Sequence, residues 1–435
     1  MTEATTSRPR VSGLSGAFTS WFDPAAWFLY ADVLLALTAA MLPWSTTGFA
    51  VLLGIWFVSL IPRIPTVEVR ALLRLLSRPI CALPLAIFAL AVVGTLWAEI
   101  PWKDRLQGIS PVVKLLVVPI LLYHFERSGR GSWVFLAFVA SCGLLMVFSW
   151  IVFYVPELKL EATKNAGVPV KNYIDQSQEF SLSMVALAPF VISLYRQRRF
   201  VAAAACAGLA LGFFANMAFV VSARAALIYV PVLLAVFAIM HLDRSKAALL
   251  FAGLILAATA IWFTSPYLRG RITDISVEYE SYQQNVALST GRRIMYWQRS
   301  LGFFAEAPVF GHGTGSIKHL FEQTAAGQSG LAGEVTRNPH NQTLNFAVQW
   351  GVCGIALLYG IWLTHLWLFR GGGPVNWIGL LVVVQNVVSS LLNSHLSDFH
   401  EGWMYVLGVG VAGGMSLAAR RRESAGQPIS AAAAV

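Results

Sequence analysis

Apolar residues occur in this chain as long unbroken blocks, not in the alternating or helical-face patterns of a soluble domain. A membrane helix needs about 20 predominantly apolar residues. Windows of that kind predict about twelve spans, at residues 25–42, 46–61, 80–98, 109–123, 133–155, 180–195, 200–221, 225–241, 248–264, 344–369, 377–392 and 404–418. The connections are mostly short. The exception follows the ninth block, where residues 265–341 turn polar and carry seven Lys/Arg and three His. A connection this long is uncommon unless it is functional or disordered.

The long connection has helical patterning of its own. Ile272, Ile275, Tyr279, Tyr282 and Val286 fall at helical spacing and predict one amphipathic helix. Ile294, Trp297, Leu301 and Phe304 predict a second, with Ser289 and Thr290 as cap candidates and an end before Pro308. A short third helix is expected over residues 316–324, after the turn Gly311-His312-Gly313-Thr314-Gly315. Each stripe can lie on the bundle or on the membrane interface.

Composition agrees with the pattern: 57% of residues are hydrophobic and only 12% charged, far from a soluble domain. The fold class expected is an all-α integral membrane protein. Basic residues therefore have to be read by position. Arg8 and Arg10, Arg63 to Arg78, Arg127 and Arg130, Arg196 to Arg199, Arg244 and Lys246, Arg370 and Arg420 to Arg422 all fall on one side. The positive-inside rule makes that side cytoplasmic. The expected organisation is a cytoplasmic tail at residues 1–24, nine spans in 25–264, an outer loop domain at 265–343, three spans in 344–418 and a cytoplasmic tail at 419–435. The first apolar run is too long for a signal peptide. All four cysteines lie in apolar spans and are expected to be free thiols.

Three short motifs point to chemistry. Ser222-Ala223-Arg224 puts a guanidinium beside hydrocarbon on the outer side, which is costly unless it snorkels or meets a polar ligand. Thr290-Gly291-Arg292-Arg293 opens a helix with cations that oppose its dipole, and the planar fork of Arg292 suits a phosphate or diphosphate. Pro339-His340-Asn341 sets an imidazole before the tenth span, with Asn341 as a helix cap. The dipole and nearby arginines disfavour protonation, leaving His340 neutral and available as a general base. The glycine-rich turn lacks the lysine of a P-loop and is read as a tight turn. No metal-binding motif or close pair of outer-loop carboxylates is visible, and inside the spans Asp32 and Lys114 are the obvious charges.

Together the span layout, the long loop after the ninth span, Ser-Ala-Arg224, Thr-Gly-Arg292 and Pro-His340-Asn341 resemble the O-antigen ligases. That family is related to O-antigen polymerases and bacterial O-linked oligosaccharyltransferases. The resemblance implies a glycosyltransferase-C-like enzyme of the bacterial inner membrane in lipopolysaccharide biosynthesis. It would move O-antigen polysaccharide from undecaprenyl diphosphate to the lipid A–core oligosaccharide on the periplasmic face. It further implies inverting, metal-independent transfer without a cofactor. Arg224 and Arg292 become the diphosphate ligands and His340 the catalytic base. Arg293, Tyr296, Asn341 and Asp398 are candidates to hold them in place. Partners would be the two lipid-linked glycans and membrane lipids, with no nucleic acid.

Three other readings stand beside this one. A polymerase or an O-oligosaccharyltransferase uses the same donor and differs only in acceptor. A flippase or polysaccharide transporter would often show two six-span halves joined by a long cytoplasmic connection; here the sixth and seventh spans are joined by little more than residues 196–199. A non-catalytic scaffold leaves Arg224 unexplained.

Overall fold

The computed structural model describes residues 24–163 and 165–426, and among these the chain is all-helical. The expected N-terminal tail, with Arg8 and Arg10, lies outside the described residues except for its last residue, whereas residues 419–424 of the expected C-terminal tail continue the last helix. In chain order the helices are α1 Pro24–Met41, α2 Thr46–Leu60, α3 Val69–Leu76, α4 Pro79–Val93, α5 Trp102–Val113, α6 Val117–Phe125, α7 Gly131–Tyr154, α8 Tyr173–Arg196 and α9 Phe200–Phe219. Then come α10 Ala226–His241, α11 Arg244–Thr264, α12 Pro266–Gln283, α13 Ser289–Glu306, α14 Ile317–Ala325, α15 Gln342–Leu368, α16 Pro374–Ser389 and α17 Phe399–Ser424.

Among the described residues, eight helical segments are long and apolar enough to cross a membrane, and a ninth arises if α3 and α4, bent by 73°, count as one span. Ala26–Met41, Ala226–His241 and Pro374–Ser389 are apolar but shorter. Every expected block thus coincides with an apolar helix, while length and composition alone support fewer crossings than twelve. The fourth block belongs to the crossing segment Trp102–Phe125, in which α5, with Pro111 in its last turn, passes through a 3-10 turn at Lys114–Leu116 before α6 resumes.

The sixth block departs most from expectation. Its helix starts at Tyr173, capped by Asn172, whose side chain accepts from the amides of Ile174 and Asp175. That early start carries Asp175, Gln176, Gln178 and Glu179 into the bundle, all buried. An apolar window misses such a turn, because its polar groups are satisfied by partners far away in sequence. Asp175, for example, meets His400 at 2.8 Å. Glu401 is buried as well. Asp32 and Lys114 are therefore not alone as interior charges.

The long connection is built, not loose. It forms α12, α13 and α14, with α14 at Ile317–Ala325 against the expected 316–324. The α13 stripe is rotated from expectation. Met295, Tyr296 and Phe303 are buried against Ile317, Phe321 and Leu331, whereas Leu301 is exposed. On α12 no residue is buried, and Ile275 and Tyr279 stay exposed. Ser289 and Thr290 do not cap α13; Leu288 holds that position without a side-chain bond.

The glycine-rich turn locks this layer to the bundle. Gly311, Gly313 and Gly315 all have positive φ, and a side-chain carbon on any of them would strike the backbone of Gln349, Ala98 or Asp104. His312 N and Gly313 N donate to Val348 O and Gln349 O, the carbonyls of α15 just before its kink at Gly351. Those amides are already used, which suits a structural turn better than an anion nest. The exposed residue Gln328 lies in the same layer. The expected outer placement of residues 265–343 requires that cysteine introduced at Gln328 react with an impermeant maleimide added to the outer face. Reaction only after the cytoplasmic side is opened would reverse the orientation.

Candidate active site

One cavity of about 270 Å³ lies where α12 and α13 meet the start of α8, the segment from Ala223 into α10 and the residues between α16 and α17. Its walls follow helical phase. From α12 come Arg271, Ile275 and Glu278; from α13 come Ser289, Arg293 and Trp297, spaced four apart. Arg224, Tyr173, Asn393 and His395 complete the polar lining.

Arg224 is held by its backbone neighbours before it is held by its side chain. Ser222 N donates to Tyr267 Oη at 2.7 Å, and Ala223 N donates to Ser177 Oγ at 2.8 Å. The guanidinium then makes a two-pronged pair with Glu278, at 2.7 Å and 2.8 Å. Thr290 donates to the same carboxylate from its amide at 2.9 Å and its hydroxyl at 2.6 Å. Burial pushes the Glu278 pKa up, but these bonds outweigh it and hold it down at about 2. Thr290 thus serves Glu278 instead of the helix start.

The two adjacent arginines of α13 have different fates. Arg292 points away from the cavity, is 45% exposed, and pairs with Glu334 at 2.8 Å. Arg293 faces the cavity and forms no ion pair among the described residues. Burial lowers its pKa, and the charges of Arg224 and Arg271 lower it further. Arg271 stands 5.2 Å from the Tyr173 ring centre with its buried Nε unpartnered, as is Nε of Arg224. Three guanidiniums around one small cavity, balanced mainly by Glu278, form a site that stabilises an anion.

His340 stands behind this wall. Its backbone is left-handed, with φ of 55°, a conformation that costs a β-carbon-bearing residue roughly 1–2 kcal/mol. Local contacts hold it there. His340 N donates to Asn338 Oδ1 at 2.9 Å, and Trp297 Nε1 donates to His340 O at 3.3 Å. The Tyr296 ring lies nearly parallel to the imidazole, 6.1 Å between centres. His340 Nδ1 donates to Asn393 Oδ1 at 2.6 Å, so Nε2 keeps its lone pair. Burial lowers the His340 pKa; the Asn393 bond raises it, and Arg293 lowers it again. The net direction is downward, towards a neutral ring.

The remaining candidates are framework around this imidazole. Asn341 caps α15 by accepting from Leu344 N at 3.0 Å and donates to Leu391 O at 2.9 Å. Asp398 accepts from Asn338 Nδ2 at 3.3 Å. Burial raises its pKa to about 7, against the pull of Lys114. Arg224, Arg293 and His340 are therefore brought to one region, with Tyr296, Asn341 and Asp398 behind His340, while Arg292 is directed elsewhere. Glu278, Asn393 and His395 carry no role in the sequence reading, and Arg271 enters it only as one of the seven basic residues of the long connection. Arg271 and Glu278 are spaced with Ile275 on one face of α12, a signal the phase of that helix contains. Asn393 and His395 follow an apolar helix and carry no local signal.

His395, Asp398 and Glu401 bring ligand atoms within 4.8 Å of one another, a grouping able to hold a metal ion. Lys114 Nζ donates to Ser397 O at 2.9 Å and to Asp398 O, so an ammonium already neutralises that corner. Burial holds His395 down at about 3.

A family model described as O-antigen ligase matches residues 209–359. The matched segment contains Arg224, Arg271, Glu278, Arg293 and His340. No curated protein matches the chain. The match supports an O-antigen ligase family assignment and, with the apolar helices, a multi-pass membrane protein with a ligase- or polymerase-type glycosyltransferase role in O-antigen processing.

Proposed function

We propose that the chain is a metal-independent, inverting glycosyltransferase that takes O-antigen polysaccharide from undecaprenyl diphosphate and gives it to the lipid A–core oligosaccharide on the periplasmic face of the inner membrane. The observation that carries this reading is the convergence of Arg224, Arg271 and Arg293 on one cavity, with His340 fixed beside its wall by Asn393 and Trp297.

The chemistry follows from the charges. The diphosphate enters among the guanidiniums, and Arg224 exchanges part of its hold on Glu278 for phosphate oxygens. His340 Nε2 takes the proton of the acceptor hydroxyl as its oxygen attacks the anomeric carbon from the face opposite the diphosphate. The bond from that carbon to the diphosphate oxygen breaks, and the arginines meet the negative charge as it develops. The configuration inverts in this single displacement. Asn393 keeps the Nδ1 proton in place, as second-layer partners of catalytic imidazoles do. Both lipid-linked substrates can arrive from the side, through the membrane.

Purified protein supplied with labelled undecaprenyl-diphosphate glycan should glycosylate lipid A–core and leave a free lipid-linked repeat unit unextended. Extension of the repeat unit alone would make the chain a polymerase on the same site. Transfer should persist in excess EDTA, since guanidiniums already neutralise the leaving group. Loss in EDTA with recovery on added Mg²⁺ or Mn²⁺ would instead assign a metal role, with His395, Asp398 and Glu401 as the ligands to test.

A further inference from the structure

A second cavity lies at the other end of the bundle. It measures about 480 Å³ and is lined by Arg74, Arg78, Arg127, Arg420 and Arg421, with Glu68 and Glu126 as the acidic members. Helix α17 connects the two ends; the cavity is lined by its residues from Leu417 to Ser424, which puts it roughly 27–38 Å from the helix start near His340 at 1.5 Å per residue. It is not an outlying part of the active site.

Arg74 donates to the carbonyl of Arg70, and Arg127 to that of Tyr123, whose ring it also covers; two of the five arginines stay uncommitted. Glu126 pairs with Arg127 at 3.3 Å, and Arg420 donates to the carbonyl of Leu368. Arg78 and Arg421 are exposed and form no ion pair among the described residues. The cavity therefore carries an excess of cations with free donors.

Its outer wall is α3, which is set at 73° to α4 and so runs across the bundle end. Leu75 is buried on the inner face of α3. Val69 and Leu73, one turn apart, are 63% and 59% exposed, and Ile61 and Ile64 just upstream extend the apolar flank. An amphipathic helix lying across a bundle end with an exposed apolar edge sits at the headgroup level. A ligand fitting both parts needs a phosphate for the arginines and hydrocarbon for the flank. A free phosphate ion satisfies only the first.

We propose that this cavity binds the phosphodiester headgroup of an anionic phospholipid, with the acyl chains against α3. The site is independent of the glycan-transfer reading. By the charge bias it faces the cytoplasmic leaflet, where anionic lipids attract clustered basic residues.

The test is native mass spectrometry of the full-length protein, delipidated in detergent and titrated separately with phosphatidylglycerol, phosphatidylcholine and inorganic phosphate. Phosphatidylglycerol should be retained about tenfold better than phosphatidylcholine. The Arg78→Gln/Arg421→Gln double variant should lose that preference, and Arg78→Gln alone should lose about half of it on a logarithmic scale. Arg244→Gln, at a different basic connection, should keep it. Both pocket residues are exposed, so folding should survive, checked by an unchanged thermal midpoint. Equal retention of the two lipids, an undiminished preference in the double variant, an equal loss in Arg244→Gln, or displacement of the lipid by millimolar inorganic phosphate would each overturn the proposal.

Discussion

Replacing Arg293 with alanine should reduce glycan transfer by about 10²–10³-fold, the scale of losing one fixed donor to a developing negative charge. Arg293, like Arg271, lines the cavity without an ion pair among the described residues, so its donors are free for the leaving diphosphate. Arg293→Lys should recover little, because an ammonium lacks the planar fork that engages two phosphate oxygens. Arg224→Lys should fail for the same reason, and its pair with Glu278 would also lose one prong. Arg292 provides the contrast. Its side chain is tied to Glu334 outside the cavity, and Arg292→Lys should stay within about tenfold of wild type, the cost of an exposed ion pair being small. The measurement is single-turnover transfer from labelled donor by variants that purify as wild type does. A severe loss in Arg292→Lys with a mild one in Arg293→Lys would reverse the assignment.

His340→Ala should retain the lipid donor yet lose about 10²–10⁴-fold in rate, the usual contribution of a positioned general base. The pH dependence has a definite sign. Burial lowers the His340 pKa, so the ring that must be neutral to act stays neutral at pH 7. Wild-type transfer should therefore hold steady as pH falls towards the ordinary histidine range and decline only below it. Asn393→Asp would replace a neutral acceptor by an anion 2.6 Å from Nδ1, stabilising the imidazolium and moving that decline to higher pH. Undiminished transfer by His340→Ala would place the base elsewhere, with His312 and His319 next in line. Loss of donor binding together with activity would make His340 a substrate ligand only.

How far the sequence reveals this architecture depends on the range of the signals. Apolar blocks are local, and each expected span coincides with an apolar helix. The stop of α13 is equally local: Pro308 lies just past Glu306, where α13 ends. Side-chain phase was harder. An amphipathic stripe beside a membrane can face the bundle or the lipid, so Ile294, Trp297 and Leu301 looked as plausible a buried face as Met295 and Phe303, which the fold chooses. The same ambiguity of about one residue separates Arg292 from Arg293. Trp297 could have resolved it, since position 293 shares its helical face and position 292 does not. Polar residues buried inside the bundle were the least legible. Asp175 and His400 meet across 225 positions of chain, and neither has a neighbour in sequence that announces the other. His340 stood out because proline, histidine and a helix cap are adjacent, but its partner Asn393 is 53 residues away.

The most direct test of the catalytic cavity is photo-crosslinking with an undecaprenyl-diphosphate analogue carrying a diazirine next to the diphosphate, followed by peptide mapping. Label should appear on peptides containing Ala223 to Ile228 of the α10 start and Ile294 or Trp297 of α13, residues that line the cavity, and should disappear in competition with unlabelled donor. Label confined to other helices, with these peptides unmodified, would contradict a diphosphate site between Arg224 and Arg293.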